Sequence, residues 1–336
     1  MNASCRKQFP FFSTIDTLRT SQPRPSGLDL FKYVLRGLFA LRAHNTWTAF
    51  LLRGIGGGQT RAQAQPHLLW KLQRPYLTSK AGLREKLTWL RAHHDWMEAR
   101  LPAAMVAQLY RRGEADLARH TNTAGDVEYL WCLAFEPQFA KEGELILKLV
   151  RRANGRDDRL VALAFTVYCE RGHCIAHIGC LQGPSSPQGA DWIRQATKDF
   201  HGLRPMVAAV AGLLALCAHT GLDQIRAIAQ AEHIYGTRWR RRDRVKFDYD
   251  AFWAELGGLR RGAGWQLPAQ LPRKDFAEIS SQKRAQYRRR FALEDELAAQ
   301  IGAALDTRGD AAPVGILVGV ALNACARPAS SPSLAR

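Results

Sequence analysis

The sequence predicts an α/β protein of the α+β kind: a helical N-terminal layer packed on a largely antiparallel sheet, with one parallel βαβ crossover. Three observations predict it. From Leu28 to about Gly113 the apolar residues recur at helical spacing. Five strand-like runs then follow with only short turn-rich pieces between them, which favours an antiparallel meander. Finally, Met206 to Ala218 holds no charged residue in a chain with 48 Lys and Arg, and this stretch stands between two strand-like runs.

Taken in order, residues 1–27 end in SQPRPSG and read as a disordered tail. Residues 28–113 form the helical region. LDLFKYVLRGLFALRAH places Leu30, Val34, Leu38 and Leu41 on one side. GIGGGQT lacks the Lys-Ser/Thr ending of a phosphate-binding P-loop and reads as a flexible connection. Thr78 or Ser79 would cap a helix in which Leu83, Leu87 and Leu90 repeat at helical spacing.

Residues 114–307 form the α/β core. ADLARHTN, YLWCLAFE, ELILKLVR, LVALAFTVYC and CIAHIGCLQG are the five strands. TAGD, FAKEG, ANGRDD and ERGH turn between them. A helix follows over ADWIRQATKDF, then an apolar helix from Pro205 to Gly221, then a sixth strand, QIRAIAQAE. Pro suits the first helical position and Gly the position just past the end. Strand, helix and strand read as a right-handed crossover. A helix apolar all round is a buried one, expected to lie across the sheet under the N-terminal helices. Asp248 or Asp250 caps a short helix stopped by Gly257, and Ser281 begins a long one. Residues 308–336 are Ala/Pro/Ser-rich and read as a second disordered tail.

The net charge of +18 points to an anionic partner: nucleic acid, an anionic membrane face, an acidic carrier protein or a phosphorylated small molecule. A solvated surface without a partner is the bland alternative. Seven cysteines, an odd number without CxxC, with four inside apolar runs, predict a reduced, cytosolic protein without structural zinc. The N-terminus lacks the apolar core of a signal peptide, and no run reaches the ~20 apolar residues of a membrane span. The expected location is the cytoplasm or the inner-membrane periphery.

Three places carry candidate chemistry. At the entrance to the apolar helix, Lys198, His201, Gly202 and Arg204 combine cations, a donor and a glycine with the positive end of a helix dipole, as an anion site requires. The competing account is that Arg204 clips an internal acid such as Asp199. At the end of the sixth strand, Glu232, His233 and Tyr235 are groups able to move protons, where α/β sheets place ligands. The third place is a basic band, 236–291, with 15 Lys/Arg, six Asp/Glu and interleaved aromatic residues. Grooves for single-stranded nucleic acid and sites for lipid head groups both look like this. In its long helix, Tyr287, Phe291, Ala298, Ile301 and Leu305 form a stripe, with Lys283, Arg284 and Arg290 within about 60° of its centre and Arg289 pointing away. Cations on the rim of a buried stripe are costly unless they meet anions, so these three should face a ligand or internal carboxylates. No GxSxG, HExxH or strand-to-helix GxGxxG occurs. His93 and His94 adjoin, and neighbours on a helix do not share a face.

FKYVLRGLFALRAH, RPYL, LQG followed by TKDFHGLRP, AEHIYG, FDYDAFWAELGG and LPRKDFAEISSQKRAQYRRRFALEDEL resemble the VirK/YbjX family of bacterial proteins over about residues 28–307. The resemblance implies a role in virulence, envelope maintenance or resistance to cationic antimicrobial peptides. The order of elements also looks like the GNAT acyltransferase core, in which the helix after the fourth core strand holds the pyrophosphate of coenzyme A. DFHGLRP takes that position here, without the Q/R-x-x-G-x-G/A pattern and with an extra helix, Ala190 to Phe200, before it. Two functional classes follow: an acyltransferase using a coenzyme A or acyl carrier protein thioester, and a non-catalytic basic module for anionic membrane or, less favoured, nucleic acid.

Overall fold

In the computed structural model, the described residues are 10–306 without 79, 171 and 236–246. The helical layer comprises α1 (Pro10–Thr20), α2 (Gly27–Phe39), α3 (Leu41–Leu51), α4 (Arg61–Ala64), α5 (Leu83–Arg100) and α6 (Ala103–Arg112). The expected N-terminal tail thus holds a helix. Its Phe11, Thr14 and Leu18 are buried, and the Thr14 and Tyr33 hydroxyls lie 2.9 Å apart. These three core residues sit in a segment flanked by polar stretches. The Gly-rich segment is a closed turn, with Ile55 N–H on Gln59 O at 2.9 Å and positive φ at Gly56, Gly57 and Gly58. Helix α5 starts later than expected, with Gly82 at the N-cap and its N–H held by Glu85.

The sheet contains β1 (Glu114–Thr121), β2 (Glu128–Ala134), β3 (Leu145–Ala153), β4 (Arg156–Glu170), β5 (His173–Gln182), β6 (Gln224–Ile228), β7 (Leu259–Arg261) and β8 (Gly264–Leu267). Their order is β1-β2-β3-β4-β5-β6-β8-β7. Strands β1 to β5 form the expected antiparallel meander, and β5 and β6 the expected parallel pair. The β7–β8 hairpin is an addition, too short and too basic to stand out from the loop around it.

Between β5 and β6 run α7 (Gly189–Asp199) and the apolar α8 (Pro205–Thr220), which ends at Gly221 with φ 69°. Then come α9 (Tyr249–Glu255), with Asp248 at its N-cap, and α10 (Ser281–Asp306). Register places Trp131, Leu149 and Val161 side by side, with Phe165 on the same face by alternation. Trp131 bonds Ala208 O on α8, while Phe165 meets the rings of His93 and Trp96 on α5. The N-terminal helices therefore share a face with α8 instead of covering it. The cover is α10, which packs along α8 and across β1, where Gln300 Oε1 accepts the Arg119 N–H at 2.8 Å.

The opposite face is closed by ion pairs, chief among them Lys148 between Glu114 and Glu136 at 2.6 and 3.3 Å. Ligand atoms of Glu114, Asp116 and Cys132 also lie within 4.8 Å of one another. Lys148 already neutralises Glu114, and burial with the adjacent acids raises the Cys132 thiol pKa, so the thiol stays protonated.

The cysteine reading needs one correction. Cys132, Cys180 and Cys217 are free and buried, but Cys169 and Cys174 form a disulfide. They are direct cross-strand partners on β4 and β5, so the hairpin brings their Cα atoms to 4.2 Å. Among the described residues no helix is long and apolar enough to cross a membrane.

Candidate functional site

Because β5 and β6 run parallel, the crevice outside their carboxyl ends is where an α/β fold would seat a ligand. Here the chain fills it with α9. Tyr249 accepts the Leu181 N–H and donates to the Leu181 carbonyl, both at 3.1 Å. Trp253 Nε1 donates to Ile228 O at 2.9 Å. Asp250 Oδ1 accepts the Gln230 N–H at 3.2 Å and Trp265 Nε1–H at 2.7 Å. Phe247 and Phe252 complete the aromatic packing.

His233, Tyr235 and Glu232 do not converge. Strand β6 stops at Ile228, so strand alternation does not govern them. His233 is buried, accepts the Tyr235 N–H at 3.3 Å and stacks on Tyr249 with ring centres 5.3 Å apart. Burial lowers its pKa to about 4, so the ring is neutral. The Tyr235 ring lies 5.9 Å from it and carries Lys141 Nζ at 5.3 Å. Glu232 turns outward to Lys80 Nζ at 2.8 Å.

The entrance to α8 is likewise occupied by the protein. Arg204 pairs with Glu255 at 2.5 Å and lies over Phe252. Asp199, the acid the competing account named, instead takes the Tyr129 hydroxyl at 2.6 Å. His201 and Gly202 adopt φ of 53° and 88° and use their N–H groups on Lys198 O and Thr197 O. A Cβ on Gly202 would come within 2.8 Å of Gln286 Nε2, so the expected space for a phosphate holds a side chain of α10.

That contact joins two cation clusters more than 80 positions apart. Burial and the charge of Arg289 both lower the His201 pKa, while Lys198 is exposed beside them. The phase of α10 differs from the expected one. The buried residues are Leu293, Leu297, Ile301, Gly302 and Leu305, while Tyr287, Phe291 and Ala298 are half-buried. Only the second half of this helix lies on the core, so the core does not dictate how the first half faces. Lys283, Arg288 and Arg289 are exposed; Arg284 Nε donates to Ile279 O at 3.0 Å; Arg290 pairs with Glu294 at 3.2 Å. Of the three, Arg290 meets a carboxylate, that of Glu294 on its own helix, and Arg289 is exposed, away from the buried stripe. Of the band, Arg238, Arg240, Arg241, Arg242, Arg244 and Lys246 lie outside the described residues.

A family described as "Protein of unknown function (DUF535)" matches residues 28–303. The chain belongs to the DUF535 family. It is 31% identical over 275 residues to the "Uncharacterized protein YbjX" of Escherichia coli (strain K12), spanning 80% of this chain and 81% of that protein. It is 35% identical over 148 residues to an "Uncharacterized protein" of Haemophilus influenzae, spanning 44% of this chain and 49% of that one. No solved structure matches.

The DUF535 region also contains a polar cluster that the sequence reading missed. Glu144, fully buried, accepts from His94 Nε2 at 2.9 Å and pairs with Lys71 Nζ at 2.8 Å. His94 Nδ1 meets the Tyr110 hydroxyl at 2.6 Å, and Lys71 also donates to Gly143 O. Burial would raise the Glu144 pKa, but the Lys71 ammonium and His94 more than offset this and hold it well below the ordinary carboxylate range. His93 and His94 diverge as expected, His93 accepting the Val167 N–H. With its side chains sealed from solvent, this cluster locks helices to sheet. Lys71 and Glu144 lie 73 positions apart, and no spacing rule joins them.

An open groove of about 400 Å³ lies between α8 and α10, floored by Ala211, Leu214 and Ala215. Arg273 spans its rim to Glu294 and Asp295.

Proposed function

We propose that this protein is a peripheral module that docks on anionic membrane surfaces through the basic first half of α10 and the adjoining α8 entrance. The observation that carries this reading is a set of exposed cations: Lys198 beside the α8 entrance, and Lys283, Arg288 and Arg289 on the first half of α10, whose Gln286 reaches Gly202. Lipid phosphates supply the charge that such a cluster lacks, at about 1 kcal/mol per cation near the surface. The envelope role implied by the VirK/YbjX resemblance is in keeping with it. The acyltransferase reading has less support, because α9 fills the strand-exit crevice.

The test is co-sedimentation of the full chain with vesicles. Binding should require phosphatidylglycerol, weaken as salt rises, and fall at least tenfold in a Lys283→Gln/Arg288→Gln/Arg289→Gln variant. Equal binding to phosphatidylcholine vesicles, or tighter salt-sensitive binding to single-stranded oligonucleotides, would overturn it.

A further inference from the structure

Helix α2 has two apolar faces, and the fold uses one of them. Inward, Tyr33 is fully buried with its ring 5.0 Å from those of Phe11 and Trp70. Gly37 lies against Phe11 so closely that a Cβ there would overlap the ring. Outward, Leu28, Phe31, Leu35, Leu38 and Phe39 are 61, 62, 43, 49 and 86% exposed. At ~100° per residue these five share an arc of about 100° on the side away from Tyr33 and Gly37. Single exposed apolar residues are ordinary, but five on one face of one helix mark a contact surface.

The helix is not a fraying end. Ser26 and Asp29 form a reciprocal capping box at its start. Its position is fixed by Tyr33, whose carbonyl also accepts from Gln73 Nε2 at 2.8 Å. The outward face is therefore presented rigidly.

Charge selects what covers it. Exposed Lys32 and Arg36 flank the stripe, and exposed Arg24 and Arg42 lie just beyond the helix ends. Asp29 is the one acid within α2, and it is engaged in the cap. A second copy would bring the same cations face to face on chains that each carry +18. An anionic bilayer instead offers acyl chains to the stripe and phosphates to the flanking cations, which is how an in-plane amphipathic helix binds. We infer that α2 is an interfacial membrane anchor, lying in the head-group region of an anionic bilayer with Leu28, Phe31, Leu35, Leu38 and Phe39 turned toward the acyl chains. This goes beyond the electrostatic reading by adding an apolar contact on a different element.

Vesicle flotation of the full chain tests it, with phosphatidylcholine vesicles with and without phosphatidylglycerol. Phe31→Ser/Phe39→Ser should keep the wild-type melting temperature, since both side chains are exposed, and lower partitioning at least tenfold at low and high salt. Phe31→Leu/Phe39→Leu should retain binding. If the Ser variant floats like wild type, or the wild type binds no vesicle, the anchor is wrong. A wild-type dimer that the Ser variant dissolves would show a second copy on the face and would equally overturn it. The two readings separate cleanly. Loss in the Ser variant with no effect of the α10 triple variant refutes the electrostatic reading alone. The reverse pattern refutes the anchor alone.

Discussion

The phenol of Tyr249 engages both backbone groups of Leu181, at 3.1 Å each, and so ties α9 to the end of β5. Tyr249→Phe leaves a buried N–H and a buried carbonyl without that partner. It should lower stability by about 1–3 kcal/mol. An unchanged midpoint in urea unfolding would show that α9 is not held by this contact.

Glu144→Gln leaves the Lys71 ammonium without its buried counter-charge and should cost about 3–5 kcal/mol. The pH dependence has a definite sign. The folded carboxyl titrates below its ordinary value of 4.5, so its contribution is fully present above that value and is lost as pH falls through the folded one. Melting temperatures measured downward from neutral pH should show an acid slope that is reduced in the Gln variant. A parallel slope in both proteins would contradict this.

His233 acts in a neighbouring window. Its folded pKa of about 4 lies below the ordinary 6.5, so the unfolded chain binds the extra proton between the two. Stability therefore falls as pH drops from 6.5 toward 4, by roughly 3 kcal/mol at most for this group. In His233→Asn the loss over that interval should be smaller. If acidification destabilises both proteins equally, His233 is not the titrating group.

Arg204 and Glu255 form a half-exposed pair, worth about 0–1 kcal/mol. Arg204→Gln should barely move the melting temperature. With the crevice filled by α9, coenzyme A should shift neither protein in a thermal-shift assay. A shift in wild type that the variant abolishes would restore the cofactor site.

The meander and crossover were legible because alternation, turns and an uncharged helix are local signals. The face opposite α2's core side was not: helical spacing groups Leu38 on one side with the half-buried Leu30 and Val34, yet Leu38 lies on the exposed stripe. Periodicity finds an apolar stripe but does not say which of two stripes the fold uses. The cations at 198–204 and 283–290 were each visible, but their meeting depends on Gln286 reaching Gly202, a tertiary contact. Glu144 and Lys71 gave no signal, because neither spacing nor composition marks a charge for burial. Phe11 and Leu18 were hidden in a segment whose neighbours are polar.

The placement of α10 on β1 bears on biosynthesis. The free edge of the sheet and the outer side of α8 are covered by the last described helix, through a bond between Arg119 and Gln300, 181 positions apart. While the ribosome is still adding that helix, the nascent sheet is complete except for its seal. Its first strand then offers unpaired backbone groups to any passing strand, and α8 offers a wholly apolar flank. Chains truncated before Ser281 should therefore be recovered as aggregates or chaperone-bound, even though every strand is present.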